Sequence, residues 1–272
     1  RQASYTGGTG TSSLTFTYIV QAGDTDTDGI AFAANALGLN SGTIRASAGN
    51  NAVLTHALVA ANSGYKVDTT APGAVDLDSV VASAQTAASV SVNAAEASAG
   101  KSIAGAIGAP SDADIEKINI TVGGANLDTA NDKLVLEVDQ ALSASFTGSN
   151  KTIGGVSGVD YSYDSTSKVL TLSKNGGGAL TAGTVDDIVA AIKLKTASTT
   201  QGVRTFVVGY VDLAGNAGVT GTSTLTLDTT VANVSTVTLD LATASDSLGG
   251  SGTDSDDITN VTTPVITVSS LN

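Results

Sequence analysis

A motif that occurs twice constrains this chain more than any other feature of its sequence. Residues 45–72 and 211–232 each contain Ala-Gly-Asn, then a Thr-rich run with alternating apolar residues, and then Asp-Thr-Thr. Ala-Gly-Asn is typical of a turn, and the alternation is typical of a β-strand. We therefore interpret the triplets at 68–70 and 228–230 as the ends of two domains' last strands, each followed by a linker.

Between the two triplets, short runs of alternating apolar and polar residues recur many times. Glycine-rich turns at 123–124, 154–155 and 175–178 separate several of these runs. Several short strands at such spacing predict an antiparallel β-sandwich, in which one face of each strand is buried. The alternating apolar residues are Val90, Val92, Ile118, Ile120, Val122, Leu134, Leu136, Val138, Leu170, Leu172, Phe206, Val208, Tyr210, Leu225 and Leu227.

The triplets divide the chain of 272 residues into three expected domains. Residues 71–230 form a complete sandwich, and residues 231–272 begin a further one. Residues 1–70 hold too few strands to close a sandwich, so we expect its first strands to be missing from this chain. Within it, residues 14–20 alternate like a half-buried strand, whereas residues 31–40 fit a short helical turn or a strand pair equally well.

One helix is expected inside the complete sandwich. Thr184 can cap a helix over residues 185–193, with Asp187 at the third position of a capping box. The adjacent acids Asp186 and Asp187 would then be favoured by the helix dipole. An apolar stripe would face a sheet, and it consists of Val185, Ile188, Val189 and Ile192.

Composition excludes several classes of function. The net charge of −13 argues against nucleic acid, because binding phosphates requires clustered Lys and Arg. No apolar run approaches the ~18 residues that cross a membrane, so we expect no membrane insertion. The chain has no Cys and only 4% aromatic residues, which favours a repetitive β-rich surface protein over an enzyme with a sculpted pocket.

An acidic turn near the start of the chain is a candidate metal site. Asp24, Asp26 and Asp28 alternate and Gly29 follows, as in the D-x-D-x-D-G form of calcium loops. Alternating carboxylates can converge on a hard cation, and without one such close charges repel each other. The turn is not an EF-hand, because Asn35 stands at its twelfth position. The alternative is a solvated acidic turn.

Carboxylates at the two joints are the second candidate group. Asp68, Asp76 and Asp78 surround the first linker, and an ion shared by adjacent domains would stiffen it. Linker solubility explains these acids equally well. Before one strand, acids at 112, 114 and 116 fit either a metal site or an exposed face. Further candidate ligands are Asp212, Asp228, Asp240, Asp246, Asp254, Asp256 and Asp257.

Catalysis has little support in this sequence, so we expect no enzyme. His56 is the only histidine, and its strand-like surroundings favour a partly buried structural residue. The sequence contains neither a G-x-S-x-G elbow nor an H-E-x-x-H motif nor a phosphate loop. A carboxylate pair for glycoside hydrolysis stays open, because two acids can meet in space.

The order of these motifs resembles a known family. The segments LTFTYIVQAGDTDTDGI and SGTIRASAGNNAVLTHALVAANSGYKVDTTAP are similar to immunoglobulin-like repeats of very large bacterial surface proteins. These are the RTX-type adhesins and biofilm-associated proteins exported by type I secretion. The segments NITVGGANLDTANDKLVLE, GVSGVDYSYDSTSKVLTLSK, VDDIVAAIKLK and TLDTT look like a second repeat, and TLDLATASDSLGGSGTDSDDITNVTTPVITV looks like the start of a third.

The resemblance implies an all-β fold of tandem immunoglobulin-like antiparallel β-sandwiches on the bacterial cell surface. It further implies Ca²⁺ as the cofactor and neighbouring repeats of the same polypeptide as partners. The expected function is a calcium-stiffened extender of an extracellular adhesin or surface-layer protein, supporting cell adhesion and biofilm formation. The alternative is a ligand-binding module for glycans or surface proteins, carried by residues 71–230. Head-to-tail self-assembly through unpaired strand edges is a weaker expectation.

Overall fold

A computed structural model describes residues 1–77, 86–105, 107–112, 114–230, 238–242, 245 and 261–269. The chain divides into two compact units, Arg1–Leu227 and Asp228–Asn272. Most of the regular structure is β-strand, as the alternating runs predict. Within the described ranges, none of the helices is long and apolar enough to span a membrane.

Residues 1–70 form an N-terminal segment in which strands pair only in twos. Its strands are β1 (Ser4–Gly7), β2 (Thr15–Thr17), β3 (Thr25–Asp26), β4 (Ile30–Phe32), β5 (Val59–Asn62) and β6 (Val67–Asp68). β1 pairs with β2, β3 with β6, and β4 with β5, all antiparallel. In the segment 31–40, for which the sequence left two alternatives open, residues 31 and 32 belong to β4 and no helix forms.

The expected half-buried strand over residues 14–20 is wrong in length and in burial. Only Thr15–Thr17 is extended into a paired strand. The apolar side chains of this alternating run are exposed: Leu14 retains 39% and Phe16 retains 41% of its full accessible surface. Alternation predicts which residues share a face, but burial of that face needs a second layer, and the described residues supply none here.

Residues 75–227 form the main β body, which contains the hydrophobic core. In chain order its elements are β7 (Ala87–Val92), α1 (Ala94–Ala99), β8 (Lys101–Ser102), β9 (Ile115–Gly123), β10 (Asp132–Val135), β11 (Asp139–Ala141), β12 (Phe146–Ile153), β13 (Val156–Asp164), β14 (Val169–Lys174), α2 (Ala182–Ala191), β15 (Lys193–Thr196), β16 (Gly202–Asp212) and β17 (Gly221–Leu227).

These strands form two sheets. The larger has the order β12-β13-β14-β9-β16-β17-β7, and the smaller has the order β11-β10-β15-β8. All pairs are antiparallel except β17 with β7, which is parallel. The expectation of a purely antiparallel arrangement is therefore wrong at this edge. A parallel pair is possible because β7 and β17 are distant in sequence, so no short hairpin has to join them.

Both sheets contribute to one core. Ile118, Ile120 and Val122 of β9 are buried, and so are Leu134 of β10 and Leu194 of β15. Of the alternating residues named from the sequence, Val138 is the clear exception, at 55% exposure, because it follows β10 in a turn. The predicted turn at Gly154-Gly155 joins β12 to β13, and both glycines have positive φ, as a two-residue hairpin requires.

Helix α2 begins three residues earlier than the sequence predicts. Its N-cap is Thr181, and Thr184 lies inside the first turn, where its hydroxyl donates to the Thr181 carbonyl. The apolar stripe was predicted correctly, since Val185, Ile188 and Val189 are fully buried. The stripe depends on spacing alone, whereas the start does not: Thr181 and Thr184 are both suitable residue types, and the Thr181 side chain makes no capping hydrogen bond.

A second helix, α1, was missed, so the expectation of one helix is wrong. Asn93 caps it, accepting hydrogen bonds from the N–H groups of Ala95 and Glu96, both at 3.0 Å. Glu96 in return accepts from the Asn93 N–H at 3.1 Å, which completes a capping box. The N-x-x-E spacing was a visible signal, but the helix has only six residues and no apolar stripe.

A buried ion pair connects the two sheets. Arg204 of β16 and Asp132 of β10 are both fully buried, with Nε and Oδ2 3.2 Å apart. Arg204 Nη1 also donates to the carbonyls of Thr200 and Gly202. Arg204 Nη2 and Asp132 Oδ1 have no partner in the described part of the chain. Each charge therefore depends on the other for compensation in the core.

The second unit contains β18 (Thr238–Leu241) and β19 (Ile266–Ser269), which pair antiparallel. The alternating runs VSTVTLDL (234–241) and VITVSS (265–270) each predict a strand, and β18 and β19 lie within them. The backbone N–H of Val265 donates to the Ser245 hydroxyl at 2.9 Å, just before β19.

The ion pair predicts a large effect of removing one partner. Arg204→Met should lower the free energy of unfolding by about 3–5 kcal/mol, because Asp132 is left charged and uncompensated in the core. The double variant Arg204→Met/Asp132→Leu should recover most of that loss. Urea unfolding measures both. Lys151→Met, which breaks an exposed pair with Glu137, is the control and should have a much smaller effect. A loss for Arg204→Met as small as the control's would contradict the prediction.

Candidate functional site

Three chain segments bring carboxylates together where the N-terminal segment meets the main β body. Asp68 ends β6, Asp112 and Asp114 precede β9, and Asp212 ends β16. The backbone N–H of Leu213 donates to the Asp114 carbonyl at 3.0 Å, which holds the ends of β9 and β16 side by side. We call these four carboxylates the joint cluster.

Asp212 is the fully buried member of the joint cluster. Its Oδ1 accepts from the backbone N–H of Asn216 at 2.8 Å, and its Oδ2 accepts from the Asn216 side-chain amide at 2.8 Å. Asn216 belongs to the second Ala-Gly-Asn turn, and Gly215 in that turn has a φ of 92°, which favours glycine. The turn therefore serves to cap this carboxylate.

One atom of Asn216 lies where oxygens from both sides of the joint converge. Its Nδ2 is 2.8 Å from Asp212 Oδ2, 3.2 Å from the Asp68 carbonyl oxygen and 3.4 Å from the Thr70 carbonyl oxygen. Two of these oxygens come from the first Asp-Thr-Thr triplet and one comes from the main β body. The repeated motifs thus meet in space, although they are far apart in sequence.

Like charges in the joint cluster affect one another. The hydrogen bond with Asp112, burial, and the charges of Asp112, Asp212 and Asp68 together raise the pKa of Asp114 to about 6. The Asp114 backbone N–H also donates to Asp112 Oδ1 at 3.2 Å. Three neighbouring carboxylates thus favour a bound proton on Asp114, or another cation in its place.

Close packing holds the linker against this site. A Cβ on Gly218 would lie 2.6 Å from the Pro72 carbonyl oxygen, so only glycine fits there. Val75 donates its backbone N–H to the Val219 carbonyl at 3.0 Å. The linker after Asp68 is therefore bound along its length to the loop between β16 and β17.

The acidic turn of Asp24, Asp26 and Asp28 is a separate structure. Asp24 is buried, and it accepts from Arg1, from the Tyr18 hydroxyl and from the Gln21 N–H. The Tyr18 hydroxyl is the main cause that lowers the pKa of Asp24. Asp26 Oδ1 accepts from the Gly29 N–H at 2.7 Å, while Asp28 is exposed.

Asp76 lies in a different acidic group from the one expected. Its backbone pairs with Gly108, and its charge acts on Asp186 of α2. Burial, then the charges of Asp187 and Asp76, raise the pKa of Asp186 to about 6. Asp186 is thus partly buried, and it lies beyond the first turn of α2, so the interpretation of Asp186 and Asp187 as acids favoured by the dipole at the helix start is wrong. Burial and these carboxylates also raise the pKa of Tyr210, whose buried hydroxyl has no partner within the described ranges.

The remaining expected ligands are distributed as follows. Asp228 follows β17 directly, and its Oδ1 accepts from the Thr230 N–H at 2.8 Å, as Asp68 does from Thr70. Asp240 lies in β18, opposite Thr267. Asp78, Asp246, Asp254, Asp256 and Asp257 lie outside the described residues.

Some site features were missed or misjudged from sequence. Asp112 and Asp114 were visible as alternating acids before a strand, but nothing in the sequence places them beside Asp212. His56 is exposed, so its expected partial burial is wrong; its Nε2 accepts from the Ala36 N–H at 2.9 Å. As placed, the described His and acidic side chains contain no preformed group of three or more that could hold a metal. Both carboxylate oxygens of Asp212 accept hydrogen bonds from Asn216.

A cavity of about 720 Å³ lies within the N-terminal segment. Apolar side chains on its wall are Tyr5, Leu14, Phe16, Leu37, Leu39 and Ile44.

Comparisons with known proteins add no assignment: no family model, no curated protein and no solved structure matches this chain.

The joint cluster predicts a specific dependence of stability on pH in the absence of divalent ions. The folded-state pKa of Asp114, about 6, exceeds its usual value of 3.8, so folding favours the protonated acid. This contribution to the free energy of unfolding is complete below pH 3.8 and is lost as the pH rises through about 6. Asp112→Asn should lower the pKa of Asp114 and flatten that dependence, whereas the exposed Asp28→Asn should not.

Carboxyl-carbon NMR titration of Asp114 and urea unfolding at several pH values test this. A midpoint near 4 for Asp114 in the wild-type protein would contradict the interpretation of the cluster.

Proposed function

We propose that this chain is a calcium-stiffened structural extender from an extracellular bacterial adhesin or surface-layer protein. The observation that carries the proposal is the joint cluster, where acids from three segments meet at a connection between two parts of the chain. A divalent ion there would compensate like charges and would link both sides of the joint at once.

The residues at the joint fit calcium by their chemistry. Calcium prefers carboxylate and carbonyl oxygens, and the joint offers Asp68, Asp112, Asp114 and Asp212 together with two backbone carbonyls. The Asn216 amide nitrogen occupies the point where three of the oxygens converge. Rotation of the amide by half a turn would present its own oxygen there, and the two orientations differ only in where N and O lie. Bound calcium would supply positive charge and coordination across the joint.

The architecture also suits an extender. We infer that residues 71–230 form an immunoglobulin-like β-sandwich, supported by two sheets that share one core. Residues 1–70 would be the closing part of a preceding sandwich, because their strands pair only in twos and their large apolar residues are exposed. Neighbouring repeats of the polypeptide would cover that surface, and residues 231–272 would begin the next repeat. The role of such a rod is mechanical and requires no catalytic residue.

Calcium binding at the joint predicts a change in thermal stability. Extracellular calcium modules bind at ~0.1–1 mM, so 10 mM calcium should stabilise the fold by about 1.4 kcal/mol or more. For a chain of this size that corresponds to a rise of about 3–6 °C in melting temperature relative to chelator. Asp212→Asn should abolish most of that rise, whereas the exposed Asp187→Asn should keep it. Calorimetry with calcium, magnesium or chelator measures it.

Two outcomes would overturn parts of the proposal. Identical melting curves with calcium and chelator would remove the ion from the mechanism. A calcium-dependent rise that survives Asp212→Asn but disappears with Asp28→Asn would move the ion to the turn at Asp24–Asp28. Small-angle scattering completes the test, because a stiffened joint should narrow the distribution of molecular lengths when calcium is added.

A further inference from the structure

One small surface of this acidic protein is basic. In the antiparallel register of β10 and β15, Lys133 lies directly opposite Lys195. Lys193 follows the same alternation and shares the face of β15 with Lys195. The opposite faces of both strands carry the buried Leu134 and Leu194. We call Lys133, Lys193 and Lys195 the lysine face; it holds three of the 12 basic residues of a chain with net charge −13.

The lysine face borders a small pocket. Its volume is about 70 Å³. The residues around it are Ser98, Asn131, Lys133, Lys195, Thr196 and Ala197. Two lysines, two residues with hydroxyls and one asparagine thus contribute to the wall of this small space, although most of the wall surface is apolar.

Helix α1 builds one side of this pocket. The helix ends at Gly100, whose φ of 93° turns the chain into β8. A Cβ on Gly100 would lie 3.7 Å from Lys193 Cβ and 3.8 Å from Lys195 Cβ, so the chain packs on the lysine stems.

The charges on the lysine face are incompletely compensated. Lys195 Nζ donates to Asp139 Oδ2 at 2.8 Å, but Lys133 and Lys193 have no ion pair among the described residues. Like charges directly opposite on neighbouring strands are destabilising without a counter-ion.

Nearby acids do not supply that counter-ion. Asp132 is paired with Arg204 on the inner face. Asp128 accepts from the Ser198 hydroxyl at 2.7 Å and from the Asn131 amide at 2.9 Å. The Asn131 amide has a second N–H, which is not engaged by that bond. Lys133 and the second N–H of Asn131 are therefore the donors beside the pocket that an anion from outside the chain would engage.

We propose that this pocket binds a compact oxyanion, the carboxylate, sulfate or phosphate group of an acidic polysaccharide or of a free ion. Lys133 supplies the uncompensated charge, Lys195 shares its ammonium with Asp139, and the hydroxyl and amide groups supply directed hydrogen bonds. Lys193 extends the positive surface beyond the pocket, which suits a polymer with repeated negative charges. The site lies on the main β body and is independent of the joint cluster, so it adds binding to a mechanical role.

NMR of the whole chain, labelled to observe lysine Cε and Nζ, tests the proposal. Sodium phosphate is titrated at constant ionic strength against sodium chloride. Saturable shifts are expected at Lys133 and Lys195 and not at Lys174, an exposed lysine at the end of β14. Lys133→Gln should weaken binding about tenfold, as expected for loss of one charge-assisted hydrogen bond, while Lys174→Gln should not change it.

Comparison of galacturonate with polygalacturonate identifies the source of the anion. Tighter binding of the polymer at Lys133, Lys193 and Lys195 assigns the pocket to an acidic polysaccharide, and equal binding assigns it to the free ion. Small shifts that do not saturate and are equal at Lys133 and Lys174 would overturn the proposal. The wild-type titration decides this even if a variant folds poorly.

Discussion

The alternation of side chains along β16 is the constraint on which most of this structure depends. A strand directs every second residue to one face, and the inner face of β16 carries Arg204, Phe206, Val208, Tyr210 and Asp212 in succession, all buried. Arg204 forms the ion pair with the other sheet, and Asp212 reaches the joint with the N-terminal segment. The three residues between them on this face lie in the core. A shift of register by one residue would move all five outward together.

Charge is handled in two ways within this one body. The Arg204–Asp132 pair buries both charges, so each satisfies the other at the cost of desolvation. At the joint, carboxylates from three segments are brought together with no ion pair to a basic side chain among the described residues, and the pKa of Asp114 rises as a result. That contrast is the reason for proposing a cation at the joint rather than in the core. The lysine face carries the opposite charge: it is a small basic region in a strongly acidic chain.

The predictions from sequence succeeded where spacing alone decides and failed where packing decides. Period-two runs identified the strands of the main β body, and the apolar stripe of α2 was correct although its start was not. The same reasoning failed for Leu14 and Phe16, which alternate as required but are exposed because the described residues form no second layer there. The parallel pairing of β7 with β17 was equally beyond reach, since pairing between distant segments leaves no local signal.

By itself, the sequence determined the strand and turn pattern, the excess of negative charge and the repeated Asp-Thr-Thr and Ala-Gly-Asn motifs, because these depend on residue types and local spacing. Only the tertiary structure decided which acids meet: Asp68 lies with Asp212 and Asp114, whereas Asp76 lies near Asp186. It likewise placed Lys133 opposite Lys195. Contacts between distant segments depend on sheet order and register, and these are set by how the whole core packs.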